Sequence, residues 1–200
     1  MTFSVPNPSD GYSLDIAGRP RVLPWRCAGR ERFPDPSVLN ADPEYLAWAA
    51  GLLDRELGGI RHDLLVTVAA GGIPLVRTLA SRLDRPYGVA ERAETEGTLR
   101  WAAGTPRDYA GSRVIVVDDW MRTGRTLSAI RQLLRRSGAR VVGVAAVWIV
   151  GDSAQWRDVV HLGTLPQYPE DLVPDSTPKT PNRSVATTAP QGNATPHTPP

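Results

Sequence analysis

The sequence predicts an α/β fold with a doubly wound, mainly parallel sheet, and three observations support this. Segments that suit strands alternate along the chain with segments that suit helices. The run Val114–Val117 contains only β-branched apolar residues, which is typical of a strand covered on both faces. The chain has 200 residues, of which 41% are hydrophobic, enough for one such domain with a sizeable core.

The first 40 residues are rich in proline, glycine and charge, and we expect this segment to form a small hood over one edge of the domain rather than part of its core. A helix is predicted to follow. Asp42 is a suitable N-cap, Pro43 suits the first helical position, and Gly58-Gly59 ends the helix. Its apolar face comprises Leu46, Ala49, Leu53 and Leu57.

The remaining elements alternate over residues 41–173, which we expect to form the main domain. The predicted strands cover residues 64–68, 87–90, 113–118 and 140–149, and the predicted helices cover residues 73–83 and 125–136. From residue 174 to residue 200 the chain is dominated by Ser, Thr, Pro, Asn and Gln, without an apolar period. We therefore expect this tail to be disordered.

Charge and cysteine content exclude several classes of protein. The net charge is +2, which is too mild to indicate a nucleic-acid or membrane partner. The longest apolar stretch, Val141–Val150, is too short to cross a bilayer, and the chain does not start with a basic-then-apolar signal pattern. Cys27 is the single cysteine, so an internal disulfide is excluded and a cytoplasmic location is expected.

Two acids follow the most apolar strand. Asp118 and Asp119 come at its carboxyl end, where open α/β sheets bind ligands, and we expect this end to be exposed. Ionised carboxylates accept hydrogen bonds from vicinal hydroxyl groups. The pair therefore suits a sugar ligand.

A hydroxyl-bearing loop comes directly after these acids. Arg122–Thr126 opens a helix whose free amides and dipole favour an anion. Gly124 permits the turn and a close approach of the backbone to phosphate, while Thr123 and Thr126 add hydroxyl donors. The order of these features indicates a sugar-phosphate site.

This stretch resembles the motif with which type I phosphoribosyltransferases bind phosphoribosyl pyrophosphate (PRPP): a hydrophobic strand, two acids and a Thr-Gly-x-Thr loop. The resemblance implies that Asp118 and Asp119 hold the ribose 2′ and 3′ hydroxyls. It also implies that Thr123, Gly124, Arg125 and Thr126 hold the 5′-phosphate. The alternative is an ordinary strand, turn and helix whose acids serve as N-caps.

A second turn fits the pyrophosphate loop of the same family. Ala69–Gly72 links the strand at 64–68 to a helix, and its small residues leave amides free for an anion. In relatives an arginine often precedes the paired glycines, and here Ala70 takes its place. Pyrophosphate would then be bound mainly by the amides of Ala70, Gly71 and Gly72. The turn alone is equally consistent with an ordinary structural link between a strand and a helix.

The segment 91–104 lies where relatives have a mobile hairpin that closes over PRPP and excludes water. Arg92 and Arg100 would contact pyrophosphate, because a planar guanidinium binds two phosphate oxygens at once. The alternative is a solvated surface loop. The resemblance further implies that a base nitrogen attacks C1 of PRPP, and that Mg²⁺ arrives with the pyrophosphate rather than on dedicated protein ligands.

The accepted base is inferred from residues that the chain lacks. Lys179, in the tail, is the only lysine, whereas orotate-type and 6-oxopurine relatives each use one. The 6-oxopurine relatives also tend to have an acid at the position of Arg122, and adenine-type relatives a small residue. Phe33-Pro34 resembles the hood of adenine-type relatives and makes Phe33 a candidate substrate contact. We therefore expect adenine or a related aminopurine as the substrate.

Three alternatives remain open. Arg122 departs from the family pattern and could face the base or a phosphate, so an anionic or modified acceptor is possible. Together with Trp120 it also raises the possibility of specialised nucleoside synthesis with an unusual base or sugar donor. A PRPP-sensing regulator without catalysis is the third, although the first 40 residues lack a helix-turn-helix pattern. We also expect a homodimer.

Overall fold

The computed structural model describes residues 11–69, 71–95, 97–105 and 108–169, so Ala70 and the tail 174–200 lie outside the described residues. Two 3₁₀ helices, Pro36–Ala41 and Ser153–Trp156, accompany the regular elements. In chain order these are β1 (Tyr12–Ile16), β2 (Arg19–Leu23), β3 (Trp25–Ala28), β4 (Glu31–Pro34), α1 (Pro43–Leu57), β5 (Leu64–Val68), α2 (Gly72–Leu83), β6 (Tyr87–Arg92), β7 (Leu99–Trp101), β8 (Arg113–Met121), α3 (Arg125–Arg136), β9 (Arg140–Val150), β10 (Val160–Leu165) and β11 (Tyr168–Pro169).

The central sheet has six strands in the order β10-β9-β8-β5-β6-β7. Every neighbouring pair is parallel except β6 and β7, which are antiparallel. The chain moves outward from β5 to β6 and then continues on the other side of β5 with β8, so the strand order reverses between β5 and β8. This confirms the predicted doubly wound sheet, and ligands of such sheets bind at the carboxyl ends of the strands that flank the reversal.

Both faces of the sheet are covered, which explains the uninterrupted apolar run in β8. Ile115 and Val117 pack with α1 and α2 in one buried cluster, whereas Val114 and Val116 pack with α3 in a second cluster. The alternation of these four residues between the clusters follows from the period of two in a strand. No helix in the described ranges combines the length and apolar character needed to span a bilayer.

The predicted helices agree closely with the structure. α1 begins at Pro43, and the Asp42 carboxylate accepts hydrogen bonds from the amides of Glu44 and Tyr45 at 2.9 and 3.3 Å. α3 has the predicted bounds, while β8 continues three residues beyond the predicted end, to Met121. The two motif acids therefore lie within a strand rather than after it.

The N-terminal segment differs from its prediction. Its described part forms the hairpin β1–β2 and a small sheet in which β4 pairs with β3 and β11. The expectation that this segment stays outside the core is wrong, because four of its side chains join the cluster of α1 and α2. These are Ile16, Leu23, Phe33 and Leu39. β10 and β11 were likewise not predicted, and the pairing of β11 with β4 joins residues 168–169 to the hood.

Candidate functional site

The glycine turn and the two acids are in contact at the carboxyl ends of β5 and β8. A Cβ atom built on Gly71 lies 2.6 Å from Asp119 Oδ2, and one built on Gly72 lies 3.3 Å from Asp118 Oδ1 and runs into Thr67 Oγ1. Two segments about 50 residues apart in sequence thus form one site at the reversal of strand order. Glycine is required at both positions because any side chain would enter space held by polar atoms of the site.

The acid pair is more buried than the sequence suggested. Only 5% of Asp119 is exposed, and Asp118 is partly exposed, so the predicted exposed strand end is wrong for Asp119. The Asp119 amide donates a hydrogen bond to Asp118 Oδ1 at 3.1 Å. Burial and the adjacent Asp119 carboxylate raise the pKa of Asp118 well above its usual range. Hydroxyl donors or a cation at this point would stabilise the charged pair.

Asn40, from the 3₁₀ helix of the hood, is a site residue that sequence reasoning missed. Its Nδ2 donates to Asp119 Oδ2 at 2.6 Å, across 79 residues of sequence. Its Oδ1 is buried and has no hydrogen-bond partner within the described part of the chain. Asn40 therefore orients Asp119 and retains an acceptor for a ligand. An asparagine next to a proline-rich loop gives no sequence signal for such a role.

The loop Arg122–Thr126, the predicted phosphate site, has the backbone geometry that its sequence predicted. Gly124 adopts φ = 74° and is the N-cap of α3, and Ser128 N donates to Gly124 O at 2.9 Å in the first helical turn. The amides before Ser128 therefore lie outside the helical ladder. Thr123, Arg125 and Thr126 are exposed, so their side chains are available to an anion.

A buried tryptophan supports this loop. The Trp156 ring lies 3.2 Å from the position that a Cβ on Gly124 would occupy. Trp156 belongs to the 3₁₀ helix between β9 and β10 and is 6% exposed. Sequence reasoning missed it, since a lone tryptophan 32 residues after the loop carries no local signal.

The Arg122 side chain contacts two residues of the hood. Its guanidinium binds the Glu31 carboxylate at 2.6 Å and lies 5.2 Å from the centre of the Phe33 ring. Phe33 also packs against Trp120, with ring centres 5.3 Å apart, and is only 1% exposed. The structure thus gives Phe33 a different role from the predicted substrate contact, because its covered ring supports Arg122 and Trp120.

The predicted hairpin is present as β6 and β7. Glu91 lies opposite Arg100 and pairs with it at 3.0 Å, while Arg92 lies opposite Leu99. Directly opposed residues share a face of the hairpin, and successive residues alternate, so Arg92 and Arg100 lie on opposite faces. The structure therefore does not bring the two arginines together, and their contact with pyrophosphate, like the mobility of the hairpin, stays a prediction.

The donor set fits a magnesium ion that arrives with a substrate. Within residues 11–69, 71–95, 97–105 and 108–169, no group of three or more His, Cys, Asp or Glu side chains is close enough to hold a metal by itself. Asp118 and Asp119 supply two adjacent carboxylates, and Thr67 Oγ1 is buried without a partner in the same part of the chain. Mg²⁺ is commonly bound by one or two carboxylates together with substrate phosphates and water.

The raised pKa of Asp118 predicts how stability depends on pH. Because the folded protein holds this proton more tightly than the unfolded chain, the Asp118 contribution to the free energy of unfolding is largest at low pH. It falls as the pH rises through the raised pKa. Urea unfolding at several pH values should show this decline in the wild type and a weaker one in Asp118→Asn. The same dependence of the free energy of unfolding on pH in the two proteins would contradict a raised pKa of Asp118.

Comparison with known proteins identifies the family of the chain. Residues 44–162 match the family described as phosphoribosyl transferase domain. The chain is 42% identical over 110 residues to an orotate phosphoribosyltransferase of Pyrobaculum aerophilum, covering 54% of this chain and 55% of that one. It is 32% identical over 135 residues to an adenine phosphoribosyltransferase of Mycobacterium avium, covering 60% and 73%. The alignments span 52% to 60% of the lengths of three Pyrobaculum relatives.

A solved structure shares the architecture. The orotate phosphoribosyltransferase of Aeropyrum pernix superposes with a TM-score of 0.54 at 25% identity, covering 77% of this chain and 86% of that one. Its match extends beyond the segment 44–162, because it covers a larger share of the chain. The predicted resemblance and the predicted fold class are both confirmed.

Proposed function

This chain belongs to the phosphoribosyl transferase domain family, and we propose that it is an enzyme that transfers the sugar phosphate of PRPP to a nucleobase nitrogen and releases pyrophosphate. The observation that carries the proposal is the contact between the glycine turn after β5 and the acids of β8. Pyrophosphate and the ribose diol are neighbouring groups on PRPP. A site that binds both needs these two elements side by side.

Three parts of the site would each bind a different group of PRPP. Asp118 and Asp119 accept hydrogen bonds from the ribose diol, the amides of Gly71 and Gly72 face the pyrophosphate, and the turn before α3 binds the 5′-phosphate. Together they fix C1 relative to the base, and such positioning contributes about 7–11 kcal/mol in favourable cases. The base nitrogen then forms a bond to C1 as the C1–O bond breaks and its electrons leave with pyrophosphate, and the proton of that nitrogen passes to water or to the released pyrophosphate.

Mg²⁺ completes the proposal. When bound, it neutralises charge on the pyrophosphate, and the acid pair of β8 would hold it directly or through water. A positive neighbour would favour the charged form of Asp118, whose pKa is raised by burial and by the Asp119 carboxylate. We also propose that the protein is a homodimer and that it is located in the cytoplasm.

Adenine or a related aminopurine is the acceptor that we propose first. The described residues contain no lysine, and relatives of adenine type need none. Orotate is the second candidate, because the 42% identical relative carries that name and Arg122 supplies a cation beside the hood. The described N-terminal segment forms strands rather than a helix-turn-helix, so it does not favour a regulatory role.

A pyrophosphate-release assay with PRPP, Mg²⁺ and a panel of adenine, hypoxanthine, guanine, orotate and uracil tests the proposal. We expect release that depends on both PRPP and a base, with adenine giving the highest kcat/KM. A highest kcat/KM for orotate would replace the first acceptor by the second. Release with none of the bases, by a protein that binds PRPP, would reject transfer to these acceptors and favour the PRPP-sensing alternative.

Asn40→Ala is expected to weaken PRPP binding by about tenfold or more. The substitution leaves Asp119 without its orienting donor, and a misplaced carboxylate would lose one hydrogen bond to the ligand, which is worth roughly 1.5–3 kcal/mol. Calorimetric titration with Mg²⁺ and PRPP measures the change. Ser37→Ala, in the same 3₁₀ helix but bound to Asp35, is the matched control and should retain wild-type affinity. Wild-type affinity in both variants would show that Asn40 has no role in PRPP binding.

A further inference from the structure

We infer that Glu31 determines acceptor specificity: its carboxylate occupies the Arg122 guanidinium and thereby selects a neutral base with a hydrogen-bond donor over a base that carries its own carboxylate. The inference deepens the proposed function and rests on it, because it presupposes transfer to a base. It assigns a task to a hood residue outside the motif that binds PRPP.

This pair lies where the hood meets the segment that follows the two acids. Arg122 comes three residues after Asp119 and binds Glu31 of the hood, and Asn40 of the same hood binds Asp119. Glu31 and Phe33 are two residues apart on β4 and therefore share one face of that strand. Both contact Arg122, at 2.6 Å through the carboxylate and at 5.2 Å through the ring.

The exposures of the two side chains indicate which of them a ligand can reach. Only 20% of the Arg122 side chain is exposed, whereas 47% of the Glu31 side chain is exposed. The arginine is thus held against Phe33 with its charge compensated, and the carboxylate is the partner that remains accessible. A ligand that approaches this surface meets an acceptor of hydrogen bonds before it meets a free cation.

A carboxylated acceptor is disfavoured by this arrangement. To bind Arg122 it must displace Glu31 or share the guanidinium with it, and two carboxylates side by side repel each other. The displaced Glu31 would also lose a short charge-assisted hydrogen bond. Specificity that arises from an unfavourable contact with the wrong ligand needs no additional contact with the right one.

An aminopurine can use both members of the pair. The carboxylate of Glu31 retains lone pairs that accept a hydrogen bond from an exocyclic amino group, and a guanidinium has five N–H donors, one of which can serve a ring nitrogen. The pair therefore presents an acceptor and a donor next to each other. That pattern complements an amino group adjacent to a ring nitrogen.

The test compares kcat/KM for adenine and for orotate in Glu31→Gln, Glu31→Asp and the wild type, with PRPP and Mg²⁺. Glutamine keeps the size of the side chain but removes the charge, so we expect the adenine-to-orotate ratio to fall by about tenfold or more, the factor for one charge-assisted hydrogen bond. Aspartate keeps the charge and should hold the ratio closer to the wild-type value. Glu44→Gln, which breaks an exposed ion pair with Arg19, is the control and should leave the ratio unchanged.

The outcomes separate this inference from the proposed function. A lowered ratio in Glu31→Gln alone supports the specificity role, since a purely structural loss would reduce both reactions equally. Wild-type transfer to a base with an unchanged ratio in Glu31→Gln overturns the inference and leaves the proposed function intact. A wild-type preference for orotate over adenine also overturns it. If the wild type transfers to no base, the proposed function fails and the inference fails with it.

Discussion

The double variant Asp118→Asn, Asp119→Asn is expected to bind PRPP much more weakly while keeping its fold. A hydrogen bond from a ribose hydroxyl to a carboxylate is worth roughly 1.5–3 kcal/mol and one to a neutral amide about half of that, so the two changes together lower affinity by about one to two orders of magnitude. Asparagine is chosen because Asp119 is buried and an asparagine there has nearly the same shape. The side-chain oxygen of the new residue can still accept the hydrogen bond that Asn40 donates. Calorimetric titration with Mg²⁺ and PRPP measures the loss.

The control for this variant is Asp63→Asn. Asp63 precedes β5 and binds Arg113 at 2.7 Å at the start of β8, which is the end of the sheet opposite to the site. The control removes an acid of the same type and should leave PRPP affinity unchanged. An unchanged affinity in the double variant would instead remove Asp118 and Asp119 from the sugar site.

Gly72→Ala is expected to lower kcat/KM by about a hundredfold, together with a loss of stability. The new methyl group would run into Thr67 Oγ1 and lie 3.3 Å from Asp118 Oδ1. Thr67 is fully buried within β5, so either its side chain or the turn must shift to admit the methyl group. Overpacking of this kind costs about 1–3 kcal/mol, and a displacement of about 1 Å at a reacting site costs up to ~10²-fold in rate. Thermal unfolding and steady-state kinetics measure the two effects.

Gly59→Ala is the matched control, because nothing lies within 4 Å of a Cβ at that position. A second change provides a rescue. Thr67→Ala removes the atom that the new methyl group would meet, so the double variant Gly72→Ala, Thr67→Ala should regain part of the lost stability. Its free energy of unfolding should therefore differ from the sum of the two single changes, as expected for residues in contact. Wild-type stability and activity in Gly72→Ala alone would show that the turn tolerates a side chain and is not a close-packed anion site.

The parts of the molecule that the sequence predicts are those with a local cause. α3 has its predicted bounds because its apolar residues recur with helical spacing and Gly124 provides the turn before it. α1 has its predicted start because Asp42 and Pro43 form a standard helix beginning. The acids and the glycine turn are recognised because each follows a buried strand, and parallel strands bring their carboxyl ends to one edge of the sheet.

The parts that the sequence does not predict depend on distant contacts. Asn40 meets Asp119 across 79 residues, and Glu31 meets Arg122 across 91 residues, so no local period links either pair. The hood strands are short and interrupted by proline and glycine, which hides the alternation that buries Leu23 and Phe33. Asn40 of the hood and Gly71 of the turn both lie against Asp119, so its burial also depends on distant contacts and was missed.

The central claim is that the chain breaks the C1–O bond of PRPP and forms a C1–N bond to a base. Phosphorus NMR of a reaction that contains the protein, Mg²⁺, PRPP and adenine follows this exchange directly. The account predicts that the PRPP signals disappear while pyrophosphate and a nucleoside monophosphate grow in equal amounts, and that neither product forms without the base. Unchanged PRPP signals with every base of the panel, or pyrophosphate without nucleotide, would contradict the account.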